Sequence, residues 1–524
     1  MRKILFLIVV LPLILVLAGG YFWHPAWWLL ILVVPLLLLA LYDLTQTQHT
    51  LLRNYPVLAH LRYLFEDIHT QIRQYFIEGD LDGHPFAREQ RNLVYQRAKG
   101  LPSLHPFGTI ENVYEPGYEW INHSIVARWP QKQEMRVRVG SSQCTQPYLA
   151  SRFNISAMSF GALSPHAIAA LNTGAKLGGF AHCTGEGGIS RYHREPGGDL
   201  IWQIGTGYFG CRKDDGSFDP DLFQQQASAD QVKMIEVKLS QGAKPGGGGI
   251  LPAAKVTRDI AEARHVPMGK DVDSPPYHSA FSTPTDMLQW MQQLRELCGG
   301  KPVGFKLCLG SRRQFMAILK AMKETGILVD FITVDGGEGG TGAAPQELSD
   351  FLGTPLRDAL IYVHNALVGT GLRDEIRIIC SGKIISGADM AAKIAMGADM
   401  CNSARGMMLS LGCIQARRCH SNTCPTGIAT QDPRLYKGLV VAEKAQRVFQ
   451  FHKSTIEHFQ WVLAAAGMTR AEELAPCELN RRLSFNEVKN YSELFEYLAP
   501  NAILDGSASP AYLNPWRQAD GAAF

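Results

Sequence analysis

Charge is scarce in this chain. Only 19% of its 524 residues are charged, and a formal net charge of +3 is too small to hold nucleic acid. Basic patches interleaved with aromatics are missing too, so no nucleic-acid partner is expected. Eleven cysteines, odd in number and scattered along the chain, do not make a disulfide framework and favour a reducing compartment. The 46% hydrophobic content describes a globular protein with an apolar extra, and 524 residues exceed what one core usually holds.

The apolar extra is at the front. Residues 4–18 and 26–41 are apolar runs, separated by Gly19-Gly20-Tyr21-Phe22-Trp23-His24-Pro25. Each falls a little short of the ~20 residues that cross a bilayer core. Tyr21, Phe22, Trp23, Trp27 and Trp28 extend them with rings suited to the interface. Arg2 and Lys3 precede the first run, Arg53 and Arg62 follow the second, and the connecting loop has no lysine or arginine. The positive-inside rule places both ends in the cytoplasm. A cleaved signal peptide accounts for the first run but not for the second. The expectation is a pair of transmembrane helices over residues 1–44 in the inner (cytoplasmic) membrane, with the remaining chain on the cytoplasmic side. Residues 45–140 read as a helical to irregular linker, with Leu51, Leu52, Tyr55, Leu58, Leu61, Leu64, Phe65 and Ile68 at helical spacing.

From residue 150 the pattern changes. Eight short apolar runs, at 151–156, 179–183, 200–204, 234–237, 303–307, 331–334, 376–380 and 399–403, each end in a glycine-rich loop and precede a helical stretch. That is the rhythm of an α/β fold, a (β/α)8 TIM barrel, over residues 150–430. Chemistry in such barrels gathers at the carboxyl ends of the strands. Those ends here carry Ala157-Met158-Ser159, Gly185-Glu186-Gly187-Gly188, Gln241-Gly242-Ala243-Lys244, Gly340-Thr341-Gly342, Ser381-Gly382-Lys383 and Ala404-Arg405-Gly406. The loops after strands seven and eight commonly seat a phosphate, and Lys383 and Arg405 supply counter-charge. A phosphate beside a glycine-lined groove points to FMN. Two G-x-G-x-x-G matches, at Gly205 and Gly337, open no helix of a Rossmann unit and support no dinucleotide site.

Beyond the eighth run stand Cys413, Cys419 and Cys424, spaced C-x5-C-x4-C and followed by Pro425. Cysteines so close on a turn-rich loop ending in Cys-Pro suit an iron–sulfur cluster. Three ligands where four are usual suggest a cluster with one corner missing, a three-iron species. A Cys3His zinc site with His420 and plain buried thiols are the alternatives. Residues 431–524 form a C-terminal helical extension.

Together these pieces resemble the FMN-binding domain of glutamate synthase, in its stand-alone, membrane-associated form. The resemblance runs from about Arg152 to Thr430 and rests on residues 154–164 (NISAMSFGALS), the Gly185–Gly188 loop, 238–245 (KLSQGAKP), 274–278 (SPPYH), 339–345 (GGTGAAP) and 413–431 (CIQARRCHSNTCPTGIATQ). It implies a 3Fe-4S cluster on Cys413, Cys419 and Cys424 and an FMN held by Ala157, Met158, Ser159, Lys306, Gly340, Thr341, Gly342, Ser381, Gly382, Lys383, Ala404 and Arg405. It implies reduction of 2-iminoglutarate, formed from 2-oxoglutarate and ammonia, to L-glutamate. Lys244 and Arg264 would hold the substrate carboxylates, with Glu186 beside the reacting carbon, Gln241 as a further catalytic residue and Lys306 stabilising the reduced flavin. Surface or core ion pairs remain the plain alternative for each of these single residues.

Two departures stand out. Gly247 and Ile250 replace the family's usual Glu and Gln, and isoleucine offers the substrate no hydrogen bond. A different imine or keto acid is therefore an open alternative, as is a non-catalytic membrane electron-transfer subunit. No glutaminase segment with an N-terminal cysteine is present, nor an NADPH domain. The expected partners are an electron donor (ferredoxin or a reductase subunit) and a separate glutaminase subunit. Arg417 and Arg418, inside the cysteine loop, offer positive charge to an acidic donor.

Overall fold

A computed structural model describes residues 9–131 and 135–524. The chain divides into two compact units, Met1–Arg88 and Glu89–Phe524.

In the first unit, helix α1 (Leu11–Phe22) begins with Pro12 in its first turn and ends at Trp23, whose N–H returns to the Gly19 carbonyl. A 3-10 turn, His24–Leu29, runs directly into helix α2 (Leu30–Thr45). Together they make one apolar helix, His24–Thr45, of 22 residues, long enough to cross a membrane. The expected first span is described only from Val9; Arg2, Lys3 and the start of that run lie outside the described residues. Helix α3 (Leu58–Ile72) follows after a short turn of helix at Thr50–Asn54.

The second unit is built on a closed barrel of eight parallel strands. These are β1 (Phe153–Ile155), β2 (His182–Cys183), β3 (Leu200–Ile204), β4 (Val232–Lys238), β5 (Val303–Leu307), β6 (Phe331–Asp335), β7 (Arg377–Ser381) and β8 (Met400–Ser403). Each lies within one of the eight expected runs or extends it by one or two residues at an end. Residues of parallel barrel strands are covered on both faces, which is why near-continuous apolar runs mark them. The expectation was too long in two places. β2 starts only at His182, because Gly179 is the left-handed cap of the preceding helix, Pro165–Gly178 (φ 61°). β1 starts at Phe153, because Tyr148–Ser151 pairs antiparallel with Arg136–Val139. That extra pair sends Val137, Val139 and Ala150 into the barrel core against Ile201, Met234, Phe331 and Ile379. It plugs the end opposite the glycine loops.

The C-terminal region contains the long helix Val441–Ala465 and also two strands, Leu479–Arg482 and Val488–Asn490. Leu479–Arg482 pairs with Glu119–Ile121, from the region read as linker.

Candidate active site

Strands four, five and six bring charge into the barrel mouth. Glu236 on β4 accepts from Gln203 Nε2 (2.6 Å) and Thr333 Oγ1 (2.5 Å). Lys306 Nζ on β5 stands 3.3 Å from Asp335 Oδ2 on β6. Asp335 also accepts from the Gly242 amide at 2.8 Å and from the Ser381 hydroxyl. Burial favours the neutral amine of Lys306, but Asp335 and Glu236 outweigh it and hold the ammonium. Lys306 is therefore a cation kept charged inside an ion-pair network. Gly242 must be glycine here, since a Cβ would stand 1.7 Å from the Gly336 carbonyl oxygen.

On the next layer, Glu186 Oε1 lies 2.9 Å from Lys238 Nζ, the last residue of β4. The same Nζ donates to Gln241 Oε1 at 2.6 Å. Burial alone would raise the Glu186 pKa, but Lys238, Lys244 and Arg264 together pull it below the usual carboxylate value. Lys244 Nζ donates to the Gly248 carbonyl at 3.0 Å. Arg264 stacks over Phe209 at 4.8 Å and gives Nη2 to the Phe160 carbonyl. Among the described residues its buried Nε has no partner, and burial draws its pKa down to about 10. A cleft opens beside this group, lined by Glu186, Thr206, Lys238, Ser240, the Gly246–Gly249 run and Pro275. All four residues expected to do chemistry, Glu186, Gln241, Lys244 and Arg264, are thus brought together.

Lys238 and His278 were not picked out from sequence as site residues. His278 Nε2 donates to the Lys238 carbonyl (2.8 Å), and its other ring nitrogen meets the Tyr208 hydroxyl at 3.2 Å. Burial lowers its pKa to about 4, so the ring is neutral. Both residues sit inside motifs already noted, KLSQGAKP and SPPYH, but nothing in their spacing shows what they touch. The substituted positions are now placed as well. Gly247 lines the cleft, whereas the Ile250 side chain is 67% exposed on a short strand that pairs with Val272–Asp273.

At the far side of the mouth, Arg405 Nη2 donates to the Glu338 carbonyl at 2.6 Å. Gly340 passes so close that a Cβ there would lie 2.7 Å from Arg405 Cδ. Lys383 is held at φ 54°, and burial followed by the Arg405 charge lowers its pKa. Two cations crowded at the ends of β7 and β8 are the donor set that a phosphate dianion requires, so these residues fit FMN. Thr341 and Gly342 lie on the exposed part of the strand-six loop. Met158 and Ser159 carry backbone that packs on Gly185, where a Cβ would meet Ser159 N at 2.6 Å; Ala157 precedes them after β1. Ser381 belongs to β7 itself, followed by Gly382, and Ala404 caps the short helix Arg405–Ser410.

The cysteine loop is tied to the loop after β1. Gln431 Nε2 donates to the Gly161 and Leu163 carbonyls at 3.1 and 2.8 Å, and the Ser164 amide donates to Ile428 O. The Gln415 amide points at Cys413 Sγ (3.4 Å), Thr426 Oγ1 meets Cys424 Sγ (3.4 Å), and Lys255 Nζ donates to the Cys419 carbonyl (2.9 Å). Burial raises Cys413 to about 12, and Cys419 and Cys424 add to it. Amide and hydroxyl donors aimed at sulfur are a surrounding that suits cluster thiolates. Among the described residues no three His, Cys, Asp or Glu side chains are gathered tightly enough to hold a metal ion. His420, Arg417 and Arg418 are exposed.

With that geometry in place, comparison with known sequences decides the family. The family described as the conserved region in glutamate synthase matches residues 125–469. The chain belongs to the glutamate synthase family. The glutamate synthase large subunit-like protein YerD of Bacillus subtilis is 38% identical over 480 residues, covering 83% of this chain and 90% of the relative. The archaeal glutamate synthase (NADPH) of Methanocaldococcus jannaschii is 34% identical, covering 68% of this chain and 66% of the relative. The Azospirillum brasilense glutamate synthase (NADPH) large chain is 33% identical over 62% of this chain, which spans 21% of that longer protein. Among solved structures, flavocytochrome b2 with pyruvate bound aligns at a TM-score of 0.41 and 14% identity, covering 85% of this chain and 91% of that one. The protein is a glutamate synthase-like oxidoreductase.

Proposed function

We propose that this glutamate synthase-family protein reduces 2-iminoglutarate, formed from 2-oxoglutarate and ammonia, to L-glutamate. The observation that carries the reading is one ionised carboxylate, Glu186, framed by Lys238, Lys244 and Arg264 at the carboxyl ends of β2 and β4. FMN would supply a hydride and a 3Fe-4S cluster on Cys413, Cys419 and Cys424 would supply single electrons. Lys383 and Arg405 would hold the FMN phosphate, and Lys306 places positive charge at the floor of the mouth. Lys244 and Arg264 bind carboxylate, the arginine as a fork whose Nε is otherwise unpaired. Glu186 Oε1 is occupied by Lys238, which leaves Oε2 to accept the iminium N–H and orient the carbon beside it. Gln241, held by the same Lys238, fixes the edge of that pocket.

A second reading keeps the cofactors and changes the substrate. The bare Gly247 leaves its stretch of the cleft without a hydrogen-bonding side chain, which suits a different 2-oxo acid or imine. Electrons come from a partner, ferredoxin or a reductase subunit, for which Arg417 and Arg418 offer a basic contact. Ammonia comes free or from a separate glutaminase subunit. Anchoring in the cytoplasmic membrane is supported by the length and apolarity of the His24–Thr45 helix, and a cytoplasmic barrel by the basic residues that flank the apolar front.

Protein purified without air, assayed for FMN and iron and then photoreduced, tests the reading. Reoxidation of the reduced flavin by 2-oxoglutarate with ammonia, and glutamate as product, is the expected result. Reoxidation only by other 2-oxo acids favours the second reading.

A further inference from the structure

Among the described residues, nothing covers the apolar stripe of α3. Leu61, Leu64, Phe65 and Ile68 recur at three- and four-residue spacing and are 51%, 51%, 56% and 37% exposed. A helix of this length standing in water is marginal by itself, and an apolar face at that spacing normally lies against something.

The place of α3 says what that is. Asp43, two residues before the end of α2, is fully buried. It accepts from the Val57 amide at 2.8 Å and meets His60 Nε2 at 2.9 Å. Val57 is held at φ 66°, a conformation a β-branched residue adopts only when its surroundings impose it. These contacts pin the first turn of α3 beside the last turn of α2. The apolar helix ending there has 22 residues, about 36 Å at 1.5 Å per α-helical residue and 2.0 Å per residue of the 3-10 turn, against a hydrocarbon core of ~30 Å. The pin therefore sits at the edge of the hydrocarbon, and α3 starts at headgroup depth.

We propose that α3 lies in the plane of the bilayer interface, with the Leu61–Ile68 side inserted at the boundary of headgroups and acyl chains. This rests on the reading of His24–Thr45 as a membrane span. Arg53, Arg62 and Arg73 are balanced by Glu66, Asp67 and Glu78 over residues 46–78. Insertion is accordingly driven by the apolar stripe and not by net charge, and it is insensitive to salt and to anionic lipid.

The full-length protein is reconstituted into phosphatidylcholine vesicles with a fluorescent amino acid introduced at position 65, 67 or 32, one position at a time. The fluorophore at 65 is expected to be quenched by lipid brominated on its acyl chains several-fold more than the one at 67. The one at 67 is expected to be quenched by aqueous iodide, and the one at 32, inside the span, by brominated lipid. If position 32 is quenched by lipid but 65 behaves like 67, the interfacial helix is wrong while the membrane span stands. If 65 is shielded from both quenchers, protein covers the stripe and the proposal fails. If 32 also escapes lipid, the membrane reading fails and takes this inference with it. Asp43→Asn, which weakens the pin, is expected to reduce lipid quenching at 65 and leave 32 unchanged; equal quenching at 65 would count against the pin.

Discussion

Lys238 Nζ lies 2.9 Å from Glu186 Oε1, and the two side chains are only 10% and 17% exposed. Their relationship sets the ionisation of the site. In water such a pair is worth little, but here each partner would be a poorly solvated lone charge without the other.

Lys238→Met is expected to slow flavin reoxidation by substrate about 100-fold, within the range set by removing acid–base or charge-stabilising groups. It also raises the Glu186 pKa, because the cation paired with it at 2.9 Å is gone. Glu186 is ionised above its folded pKa, so the acid limb of the pH–rate profile moves to higher pH. An unmoved limb would show that Glu186 does not govern it.

Arg264→Gln removes a guanidinium whose Nε has no partner among the described residues. Under the proposed substrate reading, loss of a charge-assisted contact of roughly 1.5–3 kcal/mol raises KM for the 2-oxo acid about 10- to 150-fold. The flavin spectrum should not change. Steady-state kinetics with a fixed electron donor separates this KM effect from kcat.

Lys383→Gln relieves the crowding with Arg405 and removes a phosphate counter-charge. FMN affinity is expected to fall about tenfold, on the scale of one charged hydrogen bond. Riboflavin, which has no phosphate, should bind the variant and the parent alike. Fluorescence titration of both flavins checks it.

Under the proposed iron–sulfur reading, Cys413→Ser, Cys419→Ser and Cys424→Ser each strip iron and sulfide while FMN stays bound, and unchanged iron content in all three would overturn it. Cys477→Ser, an exposed thiol outside the loop, should leave iron content unchanged. Metal analysis and EPR of anaerobic protein read the outcome.

Burial lowers His182 and His452 to about 3 and His278 to about 4. Between those values and the ordinary value near 6.5, the unfolded chain binds protons that the folded chain does not. Stability therefore rises with pH through this window and is lost as pH falls below about 6.5, by at most roughly 1.4 kcal/mol per pH unit for each ring. Thermal melts at pH 7 and pH 5 should show a marked drop, and His452→Gln should shrink it.

The barrel was legible along the chain because each strand is buried on both faces and so appears as a local apolar run closed by glycine. Even there, the run at 179–183 was too long, since only the fold reveals that Gly179 caps a helix. The carboxylate and cations of the mouth were legible as motif residues. Their partners were not: Lys238 lies 52 positions from Glu186, and no periodicity links them. The pairing of Glu119–Ile121 with Leu479–Arg482 spans more than 350 residues, and the closure of so long a loop leaves no trace in either segment alone.

Periodicity and composition, both short-range, determined by themselves the apolar front, the eight strands and the grouping of three cysteines. Everything that depends on which distant groups share a low-dielectric space was decided by the tertiary structure. Glu186 is ionised, Lys306 charged and His278 neutral because burial amplifies whichever partner the fold supplies, and the chain's local sequence does not name that partner.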